Sequence, residues 1–305
     1  MGNALSRVIV VGGIVMDMYI MLDRLPKVSE TLVANGFREV PGGKGLNTAV
    51  GASRLGADTM LLGKIGNDSF GRRIGEFLSR QSISLMIYRT NNENTGMAVI
   101  QRSPNSETTI AVVYGSNLAL KYSEAQRIVF KKGDILIAQL EIPQEITKRL
   151  LKKGRDAGAV CILSLTPITG YDKSLKDLAD VIIINESELR HFSGCSGKIP
   201  NMMKAIRTRQ DQAVITTLGA NGSMILLGSK IVKIKGKKVK VVDTTGAGDC
   251  FLAALAARMS VGEEIEKAAR YANVAASICV QRIGTGTAMP TSEEVERELK
   301  RSGGL

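Results

Sequence analysis

The α/β architecture that the sequence predicts is a largely parallel β-sheet covered by helices on both faces, with a small β-sheet lid beside it. Three observations point to it. Nearly continuous aliphatic and β-branched runs alternate with segments whose apolar residues recur at helical spacing, the pattern of parallel strands buried on both sides. Two stretches, residues 17–40 and 95–114, break the alternation and read as extended pairs joined by polar turns. The chain has 305 residues, 44% of them apolar and 23% charged, enough to bury the core such a sheet requires.

Taken in order, the strand candidates are "RVIVVGGI", "TMLLGKI", "GDILIAQLE", "AVCILSLT", "DVIIIN" and "QAVITTLG". Between them, "GRRIGEFLSRQ", "PQEITKRLLKKGRDAG" and "NMMKAIRTRQ" carry the helical spacing; Ile146, Leu150 and Leu151 share one face of the second. The last third ends in two helices, one opened by Asp249 and the other in "GEEIEKAARYANVAASICVQR". Residues 1–16, 41–94 and 115–305 form the main α/β domain in this reading. Segments 17–40 and 95–114 come together as one lid over it. No internal repeat or low-complexity tract interrupts the plan.

Composition narrows the function classes. No stretch approaches twenty uncharged apolar residues, so no membrane span is expected. The N-terminal apolar run is interrupted by Asp17 and lacks a small-residue cleavage site, so it reads as a buried first strand and not as a signal peptide. Cys161, Cys195, Cys250 and Cys279 are too scattered for a zinc knuckle or a disulfide framework, which fits a reducing cytoplasm. The single histidine, His191, reads as a surface helix residue, so acid–base work falls to carboxylates. The formal charge of +12 raises nucleic acid as a partner, but the basic residues are dispersed and aromatics are only 4%. Their one concentration, "SKIVKIKGKKVK", alternates Lys with Ile and Val like a half-exposed strand. Neither a nucleic-acid nor a membrane partner is expected.

Two familiar phosphate motifs fail. In "GGKG" the residue after Lys44 is Gly45 and position 38 is Arg38, so there is no P-loop. "GAGDCF" places Phe251 where a dinucleotide fingerprint needs its third glycine. "VVDTTGAGDCFLAALAA" nevertheless has the makings of an anion site. A helix that starts there presents unpaired N–H groups, and Gly246 and Gly248 let them converge on an anion. Asp249 beside them is either a general base or simply the helix N-cap.

The segments "GGIVMD", "PGGKGLNTAVGASRLG", "GKIGNDSFG", "INESEL", "TTLGANG" and "DTTGAGDCF" occur in that order along nearly the whole chain. Together they resemble the ribokinase-like, or phosphofructokinase-B, carbohydrate kinases. The resemblance implies a three-layer α/β/α fold with a β lid and ATP-dependent transfer to a hydroxymethyl group of a small sugar. It also implies Mg²⁺, K⁺ as activator, and a cytoplasmic homodimer paired through the lid. By this resemblance Asp249 is the general base, and Gly246, Ala247 and Gly248 form the anion hole. Asn185 and Glu188 place Mg²⁺, while Thr217, Gly219, Gly222 and Asn273 line the nucleotide. Asp243, Thr245, Cys279, Arg282 and Gly284 surround the monovalent cation. Asp17, Gly43, Lys44, Asn47 and Glu141 contact the acceptor.

Simpler structural roles exist for several of these residues. Asn185, Asn47 and Asp249 are all good helix caps, and Glu141 and Asp17 are strand-end acids. One departure bears on the substrate. Ribokinases usually carry Asn two residues before the acid matched by Asp17, and this chain has Val15 there. The acceptor therefore stays open among ribose, a nucleoside, fructose or its phosphate, and a keto-deoxy sugar acid. A non-catalytic sugar-binding protein on the same fold is the more distant alternative.

Overall fold

Val8–Val11, the first strand (β1), is wholly buried, as a four-residue aliphatic run must be when layers cover both of its faces. Burying each such side chain stabilises the fold by roughly 1.5–3 kcal/mol. The computed structural model describes residues 6–103, 108–166 and 170–301. The further strands are β2 (Val15–Met21), β3 (Gly36–Gly42), β4 (Thr59–Gly66), β5 (Ser84–Thr90), β6 (Thr95–Arg102) and β7 (Thr108–Gly115). Then come β8 (Ile135–Ala138), β9 (Val160–Ser164), β10 (Val181–Asn185), β11 (Ala213–Thr217), β12 (Ser223–Leu227) and β13 (Lys230–Ile234).

Nine strands form one sheet in the order β13-β12-β11-β10-β9-β8-β1-β4-β5. Pairing is parallel from β11 to β5 and antiparallel at β11–β12 and β12–β13. Helices Lys44–Arg54, Ala247–Ser260 and Ile265–Cys279 contribute to the core on one face. Gln144–Asp156 and Ile199–Ile206 contribute to the core on the other. The result is a three-layer α/β/α fold, as expected. Every predicted strand and helix is present, with ends shifted by a few residues.

A second sheet, in the order β3-β2-β6-β7, gathers the two segments that broke the alternation. Positions 104–107 of the second segment lie outside the described residues. Only Gly12, Gly13 and Ile14 separate β1 from β2, so the chain passes straight from one sheet to the other. Several elements were not anticipated, among them the short helices Tyr122–Ala125 and Leu175–Leu178. Strand β5 is a half-exposed edge strand, β12 reads as part of a turn-rich stretch, and the polar helix Ser292–Arg301 buries only Val295. The Lys-rich β13 is an edge strand, where charge discourages pairing with other chains. Among the described residues, no helix is long and apolar enough to cross a membrane.

Candidate active site

The helix Ala247–Ser260 starts after Gly246, whose φ of 79° is left-handed, and no side chain caps it. Asp249 is therefore not the cap; it lies in the first turn and points away to another partner. Its Oδ2 accepts a hydrogen bond from Asn47 Nδ2 at 2.9 Å, across 202 residues of sequence. Asn47 is not a cap either, because its helix starts at Lys44 with Gly43 in the cap position at φ 95°. Both side chains are thus free for each other. A bond from a donor to a buried carboxylate contributes about 1.5–3 kcal/mol. Burial raises the Asp249 carboxyl above the usual range, while Lys44 and the Asn47 bond pull it back.

Three cavities adjoin along the cleft. One of about 480 Å³ is lined by Thr217, Gly219, Gly222, Ala247, Phe251 and Asn273, among others. A middle cavity of about 210 Å³ is lined by Lys44, Thr166, Asn185, Glu188, Gly246, Gly248 and Asp249. A third, of about 290 Å³, has Val15, Asp17, Gly43, Asn47, Glu141 and Thr285 on its walls, with Ala98, Ile100, Ile110 and Val112 from the small sheet. Thr217, Thr244 and Gly248 are shared by the first two. Lys44, Thr166, Glu188, Gly246 and Asp249 are shared by the second and third. Asp249 thus stands where the middle and third cavities meet.

The third cavity is acidic and partly desolvated. Asp17 accepts from Thr285 Oγ1 at 2.9 Å, and burial pushes its carboxyl up to about 7. Glu141 accepts from the Lys44 N–H at 3.1 Å and is also pushed up to about 7, chiefly by burial. Burial pulls the Lys44 ammonium down, but the carboxylates of Asp249, Glu141 and Glu188 more than offset this.

The Asn185–Glu188 pair forms a reciprocal capping box: Asn185 Oδ1 accepts from the Glu188 N–H at 2.9 Å, and Glu188 Oε2 from the Asn185 N–H at 3.1 Å. Its structural role is therefore real, yet both side chains also line the middle cavity. Thr166 donates to the same Glu188 oxygen at 3.3 Å, and Oε1 takes part in none of these bonds. The donor set suits a magnesium ion held by one carboxylate, water and the ligand's own phosphates. Among the described residues no group of three or more His, Cys, Asp or Glu could cage a metal alone. In the large cavity, Asn273 Nδ2 is buried without a hydrogen-bond partner, a donor left open to an acceptor entering the cavity. Of the three predicted anion-hole residues, Ala247 uses its N–H on the Thr244 carbonyl at 3.2 Å, whereas Gly246 and Gly248 line the middle cavity.

Asp243 ties two loops together. It accepts from the Thr245 N–H at 3.0 Å and the Gly284 N–H at 3.2 Å. The Cys279 carbonyl is engaged by the Arg282 N–H at 3.1 Å, and the Arg282 guanidinium is turned to Glu294. A cation already neighbours Asp243: Arg102 Nη1 stands 3.6 Å from Oδ2. These residues do not fit a free monovalent ion, because a second positive charge would be set against the guanidinium.

Thr166, Thr285 and Arg102 were missed in the sequence. No motif marks them, since each earns its place only by packing against a residue far away in the chain. His191 is exposed on its helix against Phe192, as expected. The four cysteines are free, and Cys195 is the exposed one.

The family model for "pfkB family carbohydrate kinase" matches residues 5–292. The chain belongs to that family and is an ATP-dependent carbohydrate kinase. It is 34% identical to the ribokinase of Bacillus subtilis (strain 168) over 97% of this chain and 100% of the relative. It is 33% identical to the ribokinase of Mus musculus over 96% and 95% of the respective chains. Among solved structures it resembles Arabidopsis thaliana ribokinase complexed with ribose and ATP, with a TM-score of 0.84 and 31% identity over 96% of this chain and 98% of that one.

Proposed function

We propose that the protein transfers the γ-phosphoryl group of ATP to the hydroxymethyl group of a ribose-like sugar, with Asp249 as general base. The observation that carries this reading is the position of Asp249, shared by the middle and acidic cavities. A hydroxyl in the acidic cavity and a phosphoryl group in the middle one would then meet at its carboxylate. As its magnesium complex, ATP would supply the phosphoryl group and a charge clamp on its oxygens.

The chain's own residues supply the rest. Asn273 and the walls around Phe251 would receive the purine, and Thr217, Gly219 and Gly222 would border it. Gly246 and Gly248, at an uncapped helix start, would offer N–H groups and helix-dipole charge to the transferring group. Asn185 and Glu188 would hold the metal's water shell. Asp17 and Asn47 would bind acceptor hydroxyls, with Glu141 fixing the Lys44 backbone. The small sheet, closing on the acceptor, would exclude water. A nucleoside is the second reading for the acceptor, favoured by the apolar wall of Ala98, Ile100, Ile110 and Val112.

The expected outcome is that Asp249→Asn keeps its fold and its nucleotide affinity but loses turnover by roughly 10²–10⁴-fold, the usual contribution of a general base. ADP release over a panel of ribose, deoxyribose and nucleosides, beside nucleotide titration of both proteins, checks it. Near-normal turnover in the variant would sink the base assignment.

A further inference from the structure

Asp243 is the most fully enclosed charge next to the helix start: its side chain is 1% exposed. A carboxylate so far from water requires a cationic partner or a dense set of donors. It has two backbone N–H donors, from Thr245 and Gly284. Through them it holds the turn that leads into Gly246 and the loop that carries Thr285, the partner of Asp17. The charge itself is met by Arg102, the last residue of β6, whose side chain is 17% exposed. Its Nη1 faces Asp243 Oδ2 at 3.6 Å, and its Nη2 donates to the carbonyl of the preceding residue, Val242. The other guanidinium across the same loop, that of Arg282, is committed to Glu294.

From this geometry we infer that the Arg102 guanidinium is a built-in replacement for the free monovalent cation at Asp243, so that the kinase works without K⁺. Arg102 is a positioning residue: it touches neither cavity wall that would hold substrate, and acts through Asp243 on the turn from Thr245 to Gly248. A guanidinium suits the task, with a planar fork that can satisfy a carboxylate and a neighbouring carbonyl together. It differs from a bound ion in one respect. It belongs to the small sheet, so neutralisation of Asp243 is tied to where that sheet sits. The inference rests on reading the Gly246–Gly248 turn as the phosphoryl-binding element; the metal-binding readout below does not depend on that reading.

The test uses the full chain, freed of alkali ions, with ionic strength held by tetramethylammonium chloride. For the wild type, adding KCl changes turnover by less than about twofold. Arg102→Met loses roughly tenfold or more in alkali-free buffer, and KCl restores it better than NaCl does. Arg102→Lys, which keeps the charge, stays independent of KCl. Thallous ion, read by ²⁰⁵Tl NMR and by anomalous diffraction, binds beside Asp243 in Arg102→Met and not in the wild type. Should Arg102→Met be inactive in every salt, thallous ion at Asp243 in that variant would still support the inference, and its absence would count against it. Strong stimulation of the wild type by KCl, or thallous ion beside Asp243 with Arg102 in place, would overturn it. A wild type inactive on every acceptor would instead indict the kinase reading, leaving the thallous-ion result to stand.

Discussion

Val15 is 2% exposed and lines the acidic cavity two residues before Asp17. An apolar β-branched side chain there offers no hydrogen bond, so a hydroxyl brought against it would be desolvated without compensation. An acceptor lacking that hydroxyl loses nothing. The expected outcome is that Val15→Asn raises kcat/KM for ribose relative to deoxyribose by about 10–100-fold, the scale of one hydrogen bond in a polar site. Steady-state kinetics on the two sugars checks it, and an unchanged ratio would remove Val15 from the specificity argument. At this scale the sequence was most informative where a residue's role is local. Asn185 could be read as a helix cap from its place at the end of a strand. The Asn47–Asp249 bond could not, because each side chain had an equally good local use as a cap until Gly43 and Gly246 proved to occupy those positions.

Two helix starts bring Asn47 and Asp249 to their places, and they respond to substitution differently. Gly43 and Gly246 both have positive φ, at 95° and 79°. A Cβ at Gly246 would meet nothing closer than Thr285 Cα at 3.4 Å. Gly246→Ala should therefore cost only the backbone term of about 1–2 kcal/mol and lower Tm by roughly 2–6 °C. A Cβ at Gly43 would lie 2.6 Å from the Gly13 carbonyl oxygen and 2.8 Å from the Val15 nitrogen. Gly43→Ala must push β2 away from the helix Lys44–Arg54, so its Tm falls further and its acceptor KM rises. Thermal melts of the two variants would expose the error if their losses were equal. The strands that packing buries on both faces were the ones easily read from the sequence. Strand β5 and the last helix escaped because each lies at an edge, where one side is wet and the apolar signal is thin.

On the scale of the molecule, a chain of formal charge +12 keeps Asp17, Glu141, Glu188 and Asp249 buried together in one cleft. Burial pushes the carboxyls of Asp17 and Glu141 there up to about 7. A carboxyl raised in the folded state contributes stability that is fully present below its unfolded pKa and is lost as the pH rises through about 7. The empty protein should therefore melt higher near pH 5.5 than near pH 8, about one and a half units below and one unit above that value. In Asp17→Asn the difference should shrink. Equal pH dependence in both proteins would show that this acid is not the source. The overall plan of two sheets and three layers was legible in the alternation of runs. The way Arg102 ties the small sheet to the loop before the helix Ala247–Ser260 was not, since no pattern connects it to a residue 141 positions later. The half-protonated cleft has one more consequence. A sugar hydroxyl that donates to Asp17 favours its ionised form, so loading the acceptor near neutral pH expels a proton into the medium. The heat of sugar binding then includes the buffer's own heat of protonation. Titrations in phosphate and in Tris should give different enthalpies for the same affinity, a difference that Asp17→Asn would erase.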